Sequence, residues 1–215
     1  MKHIVEYSQI ELFKTNQYLE LEGLLAAAKL KELTNCINQE LAKIRKIQIE
    51  PSSAFLHFHD LFKQIGILKK LLTSPAMANV ISHLTNEKYF RLLFDQMLIY
   101  PKAKNFPDKL NLKNDLSFQG VILGALIQFE GTCESSNDYF PKQLGNITFF
   151  NPEFNLDLTD FLAPTSKEIL LVGFGAQDSR YRFKESDPHT HLLKNYGYVF
   201  GDPLTNAHHP LFFCK

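Results

Sequence analysis

Residues 116–131 read LSFQGVILGALIQFEG, and this stretch decides the fold. Its apolar centre, VILGALI at 121–127, is seven residues long, too short to cross a bilayer as a helix and suited to a buried strand. Three more stretches share its character. Residues 89–100, 146–150 and 168–176 are dominated by apolar, aromatic and β-branched side chains and bounded by Gly, Pro, Asn or Asp. With 117–129 they form the predicted strands. Polar connections at 102–115, 131–145 and 155–167 separate them.

Upstream of Lys88 the periodicity is helical. Ser8 and Glu11 have the spacing of a capping box for a helix toward Thr15. YLELEGLL at 18–25 alternates as a strand does. Over 26–46, Leu30, Leu33, Ile37, Leu41 and Ile44 recur at three and four, forming one apolar stripe. A second helix is expected from Pro51 to the break at Pro75, on Phe55, Phe58, Phe62, Ile65, Leu68 and Leu72. A third covers about 76–85, with Met77, Val80, Ile81 and Leu84 inward. Asp187-Pro188 marks a helix start running to about Asn195. Helices followed by strands imply α+β packing in a single domain, 1–88 mainly helical support and 89–215 mainly β core.

Composition narrows the partners. Lys plus Arg and Asp plus Glu balance at 23 each, so no global field recruits nucleic acid or an anionic surface. No run of eighteen apolar residues is present, so no membrane span is expected, and MKHIVEYSQIELFK does not read as a secretory signal. Cys36, Cys133 and Cys214 form no CxxC and fit reduced thiols in a cytoplasmic protein. No G-x-S-x-G occurs, and GFGAQDS at 173–179 is not a phosphate-binding glycine loop.

All eight histidines lie outside residues 84–188: His3, His57, His59, His83, His189, His191, His208 and His209. In HFHD, His57 and His59 within a helix point to different faces, so they and Asp60 read as capping or surface groups. In DPHTH, His189 and His191 would share a face with Asp187 only if 187–191 were extended. His208 and His209, adjacent in an extended tail, point oppositely, so at most one faces inward.

FKTNQYLELEGLL at 13–25, HDLFKQIGILKKLLTSPAMANVISHL at 59–84, YFRLLFDQMLIYP at 89–101, LSFQGVILGALIQFEG at 116–131, GNITFFNPEF at 145–154 and GYVFGD at 197–202 occur in that order. Together they resemble the phytanoyl-CoA dioxygenase family, a branch of the Fe(II)/2-oxoglutarate oxygenases. The resemblance implies a double-stranded β-helix, or jelly roll, braced by N-terminal helices. It also implies iron held by a His-x-Asp/Glu pair and a distal His. At the matching positions the chain offers Leu110 to Asp115, with one carboxylate and no imidazole, and Asn151-Pro152-Glu153. Arg180 and Arg182 are the candidates for the basic residue that holds the far carboxylate of 2-oxoglutarate.

The sequence therefore carries these expectations. No metal ligands and no catalytic residues are assigned, and no cofactor is expected. The protein is a non-catalytic binding or scaffold derivative, with a small molecule or a protein as partner. The alternatives are an active oxygenase using Fe(II) and 2-oxoglutarate with an unorthodox ligand set, and a small-ligand or metal-binding module using the C-terminal histidines.

Overall fold

The computed structural model describes residues 5–46, 58–99, 107–130, 137–159, 168–185, 187 and 189–214. Helix α1 (Tyr7–Asn16) leads into strand β1 (Tyr18–Leu21), followed by α2 (Ala27–Arg45), α3 (Leu61–Gln64), α4 (Gly66–Leu72) and α5 (Pro75–Thr85). Then come β2 (Tyr89–Ile99), β3 (Lys109–Leu110), α6 (Leu112–Asp115), β4 (Phe118–Glu130), β5 (Ile147–Phe150), β6 (Leu156–Asp157) and β7 (Glu168–Tyr181). Helix α7 (His189–Asn195) and β8 (Leu211–Phe213) close the chain. The switch from helix to strand falls between Thr85 and Tyr89, where the periodicity places it.

Six strands form one antiparallel sheet in the order β1-β5-β4-β7-β2-β8, and β3 pairs with β6 in a second, two-stranded sheet. Successive side chains on a strand point to opposite faces. Here both faces are buried, which is why β4 and β7 read as apolar runs rather than as alternation. One face, with Leu123, Ala125, Ile127, Leu170, Val172 and Phe174, shares a core with helical residues Leu33, Ile37, Leu41, Leu68, Met77 and Ile81. The other, with Phe94, Leu126, Phe150, Ile169 and Leu171, shares a core with Leu110 of β3 and Leu156 of β6.

Local chemistry sets the helix ends. Ser74 caps α5 by accepting the Met77 N–H at 3.2 Å, with Pro75 in the first turn. In α1 the capping box is Glu6 with Gln9 rather than Ser8 with Glu11: the Glu6 N–H donates to Gln9 Oε1 at 2.9 Å. The stripe of α2 is as expected, with Leu33, Ile37 and Leu41 buried.

The continuous helix expected from Pro51 to Leu72 is not what forms. Residues 51–57, His57 among them, lie outside the described residues. Phe58 to Asp60 run alongside β2 instead: Met97 N–H donates to Phe58 O at 2.8 Å and Asp60 N–H to Asp95 O at 2.9 Å, with His59 bridged to Gln96. The helix begins only at Leu61 and breaks at Ile65, which is extended at φ −106° and ψ 95°. The cause is long-range. The Asp95 carboxylate takes the first two N–H groups of α3, so the chain must leave β2 at Asp60, which adopts φ 52°. The short pairing also covers part of the outer edge of β2, an edge that would otherwise template pairing with another chain.

Leu33 and Phe62 are almost wholly buried. Leu33→Ala and Phe62→Ala are each expected to lower stability by about 2–5 kcal/mol in chemical denaturation. A loss near zero at either would place its helix face wrongly.

Candidate functional site

The sheet face turned toward β3 and β6 is the interior of the fold, and the register lays it out row by row. Phe94, Gly173, Gly124 and Phe150 stand side by side across β2, β7, β4 and β5. The glycines are there to admit the rings. A Cβ at Gly173 would lie 2.1 Å from the Phe94 ring, and one at Gly124 would lie 2.2 Å from the Phe150 ring. Phe94 also stacks on Phe118, with centroids 5.7 Å apart and planes 12° off parallel. The next row is Gln96, Leu171, Leu126 and Thr148. Gln96 donates its amide to Met97 O at 3.1 Å, while Gln96 Oε1 and Thr148 Oγ1 are buried without a hydrogen-bond partner among the described residues.

The segment expected to hold a metal pair closes on itself. Asn111 donates its amide to Glu153 O at 2.8 Å and to Asn155 Oδ1 at 3.0 Å, and its Oδ1 accepts the Asn114 N–H at 3.0 Å. Asp115, the carboxylate singled out there, accepts the Asn111 N–H at 2.8 Å. Lys113 forms an ion pair with Glu153. The outcome is a latch tying α6 to the β5–β6 turn. Arg180 is exposed and donates to Gly201 O at 2.9 Å. Arg182 donates to Leu116 O at 2.8 Å and to Lys113 O. Histidines 189 and 191 lie on α7, where their side chains are outside the described residues. Among the described residues, no group of three or more His, Cys, Asp or Glu could hold a metal ion.

A second polar constellation lies where β2, α3 and the C-terminal segment meet. The Asp60 carboxylate accepts from Lys63 Nζ at 2.6 Å and from Tyr196 OH at 2.7 Å, with His59 Nδ1 3.6 Å away. Lys63 Nζ lies 3.9 Å from the centroid of the Tyr196 ring, and His208 stacks on that ring at 4.4 Å. His209, by contrast, is buried, with Nδ1 2.8 Å from Leu93 O. The two histidines thus differ in their surroundings, but they sit in a turn, closed by the His209 N–H on Thr205 O at 2.9 Å, rather than in the extended tail expected.

Burial and neighbouring charges shift the ionisations in this cluster. Burial opposes the charge on Asp60, yet the neighbouring His59 imidazole and the Lys63 ammonium, which also donates a hydrogen bond to it, hold its carboxyl well below the usual range. Burial, and then the Asp60 charge, push Asp95 up to about 7 against the two N–H bonds that it accepts. Burial and the Asp60 carboxylate also push the Tyr196 phenol up. Sequence reasoning missed Asp95, Lys63 and Tyr196. Asp95 carried one signal, a charged residue inside the apolar run YFRLLFDQMLIY, whereas nothing local marked the other two.

No family model matches the chain, and no curated protein matches it in sequence. Solved structures do match it in fold. The non-heme alpha ketoglutarate dependent carbocyclase SnoK from nogalamycin biosynthesis superposes with a TM-score of 0.71 at 11% identity, over 97% of this chain and 96% of that one. The fold is that of the non-heme iron, 2-oxoglutarate-dependent oxygenases. The epimerase SnoN, in complex with Fe3+, alpha ketoglutarate and nogalamycin RO, gives a TM-score of 0.63 at 15% identity, over 95% of this chain and 97% of that one. EctD from S. alaskensis with bound Fe gives a TM-score of 0.61 at 12% identity, over 86% and 81%.

These structures correct the expectation that no cofactor is to be looked for: SnoN and EctD carry iron, and SnoN also carries alpha ketoglutarate, on the same fold. The likeness reaches the wider oxygenase fold rather than the phytanoyl-CoA branch. Within this chain the described residues do not supply the ligand set that the resemblance implies. Asn111 stands with its amide committed to Glu153 and Asn155, and Asp115 stands turned onto backbone. Among the described residues, no helix is long and apolar enough to cross a membrane.

Two measurements check this geometry. Gly173→Ala, which drives a methyl into the Phe94 ring, is expected to lower stability by about 1–3 kcal/mol, and adding Phe94→Leu should recover part of that loss. Asp95 carries a pH signature. Its folded value lies above its ordinary value of about 3.9, so its contribution is full below about pH 4 and is lost as pH rises through about 7. Urea denaturation from pH 4 to 8 should show wild-type stability declining relative to Asp95→Asn across that window; parallel curves would refute the assignment.

Proposed function

We propose that the chain is a single-domain binding protein built on the oxygenase fold, with a double-stranded β-helix reduced on its smaller side and its inner face given over to packing. One observation carries the reading: the row Phe94, Gly173, Gly124, Phe150, in which two glycines yield their space to two phenyl rings. An oxygenase needs an inner face open to a keto acid and a substrate. Rings seated on bare glycine backbone leave that row no side chain to aim at a ligand, and buried aromatic area favours packing there. The Asn111 latch supports the same reading, because it commits the expected ligand positions to structural hydrogen bonds. The partner is a small molecule or a protein.

A second reading is an active oxygenase using Fe(II) and 2-oxoglutarate with ligands outside the positions of the resemblance. The bound iron and alpha ketoglutarate of SnoN favour it. In that case Arg180 or Arg182 would bind the far carboxylate, and Arg182 would first have to leave the carbonyls of Leu116 and Lys113.

Purified protein supplied with Fe(II), ascorbate and 2-oxoglutarate separates the two. The binding reading expects succinate at the level of the protein-free control. Succinate rising in proportion to protein, and abolished by Arg180→Ala or Arg182→Ala, would establish the oxygenase instead.

A further inference from the structure

Residues 206–214 lie along the outer edge of β2 and are tied to it at several points, while Leu204 just before them bonds to Ser179 of β7. Leu92 N–H donates to Pro210 O at 3.1 Å, β8 pairs with Tyr89 to Arg91, and Cys214 N–H donates to Lys88 O at 3.1 Å. Arg91 Nη1 reaches Asn206 Oδ1 at 2.7 Å and His209 O at 3.0 Å. Phe212 anchors the end, with its ring 5.3 Å from Phe90 and 6.2 Å from Phe174.

In the middle of this segment sits His209, 1% exposed. Leu93 O can only accept, so the proton of a neutral ring resides on Nδ1. Nε2 is then a bare lone pair, buried and without a hydrogen-bond partner among the described residues. The rings of Phe118 and Tyr198 lie against the imidazole, each 5.7 Å away. The groups around it offer a second proton little. Lys63 of α3 and His208 of the same segment oppose it electrostatically, while the Asp60 carboxylate favours it. That carboxylate is already bonded to Lys63 and Tyr196. From β2 comes Arg91, whose guanidinium is on the His209 carbonyl, and Tyr198 contributes a phenol bonded to Thr205. A proton on Nε2 would make a buried cation facing no acceptor among the described residues, a state that a chain leaves by exposing the group to water.

We propose that residues 206–214 form an acid-released strap, held on β2 while His209 is neutral and freed when Nε2 takes a proton. Burial, with Lys63, holds the imidazole down to about 4, against an ordinary value of about 6.5 once the segment is open. The sign follows. The closed form binds fewer protons than the open form between those values, so closure is fully favoured above about pH 6.5 and weakens as pH falls toward about 4. Release bares the backbone of Tyr89 to Leu92, the part of the β2 edge that no other described segment covers.

Hydrogen exchange on the full chain at pH 7 and pH 5, corrected for intrinsic rates, tests this. The Leu92 and Cys214 amides should lose roughly 20-fold in protection on going to pH 5, the factor that those two proton affinities give. Ala125 and Val172, paired in the sheet centre, should keep theirs. His209→Gln can still donate to Leu93 O but takes up no proton, and it should abolish the loss. Equal losses in wild type and variant, no loss in wild type, or a loss shared by Ala125 and Val172 would each overturn the proposal. Should the variant not fold, the wild-type imidazole resonances decide: a neutral Nδ1–H ring persisting to pH 5 supports the strap. A ring protonating near pH 6.5 with Leu92 still protected refutes it.

Discussion

The antiparallel pairing of β4 with β7 is the constraint on which the rest of the molecule depends. Its ladder runs from Phe118 opposite Tyr181 to Glu130 opposite Glu168, and β5 and β2 attach to its two sides. Because side chains alternate across a strand, a shift of one residue would exchange the helix-facing set of Leu123, Ala125 and Ile127 for the inward set of Gly124 and Leu126. Neither core tolerates the other's set. Phe150 would meet a side chain where it now meets bare backbone.

That register also decides what the inner face can be. The glycines at 124 and 173 stand opposite each other at the centre of the ladder, and the flanking strands supply the rings that fill the space above them. Solved proteins of this fold hold iron and a keto acid, whereas this chain places phenyl rings on its inner face and hydrogen-bonds Asn111 into a latch nearby. The same scaffold accommodates both, because its stability rests on the ladder and the two buried faces rather than on any one interior group.

On the outer side, Asp95 organises a different kind of order. A carboxylate in an apolar strand must find donors, and it finds the open N–H groups of Leu61 and Phe62. This fixes where α3 begins and forces Asp60 into a left-handed turn. There its own carboxylate gathers Lys63 and Tyr196. The C-terminal segment then packs against that cluster through His208 and His209. Three stretches distant in sequence are thereby joined through a few buried polar contacts.

Hydrophobic period, a property of neighbouring residues, was legible directly: the stripe of Leu33, Ile37 and Leu41, the helix after Ser74, and the strands at 89–99, 118–130, 147–150 and 168–181. That only one of His208 and His209 is buried was expected from an extended tail, but the backbone there is a turn, closed by the His209 N–H on Thr205 O at 2.9 Å. What the sequence could not determine were the events that depend on partners far along the chain. The helix expected through Phe58 gave way because Asp95, more than thirty residues on, captures its first N–H groups. Gly124 and Gly173 read only as small residues in strands until the register set Phe150 and Phe94 beside them. Local pattern fixes which residues seek burial and with what period. Only the folded chain decides what each meets there, because that choice is made by register and by the need of every buried polar group for a partner.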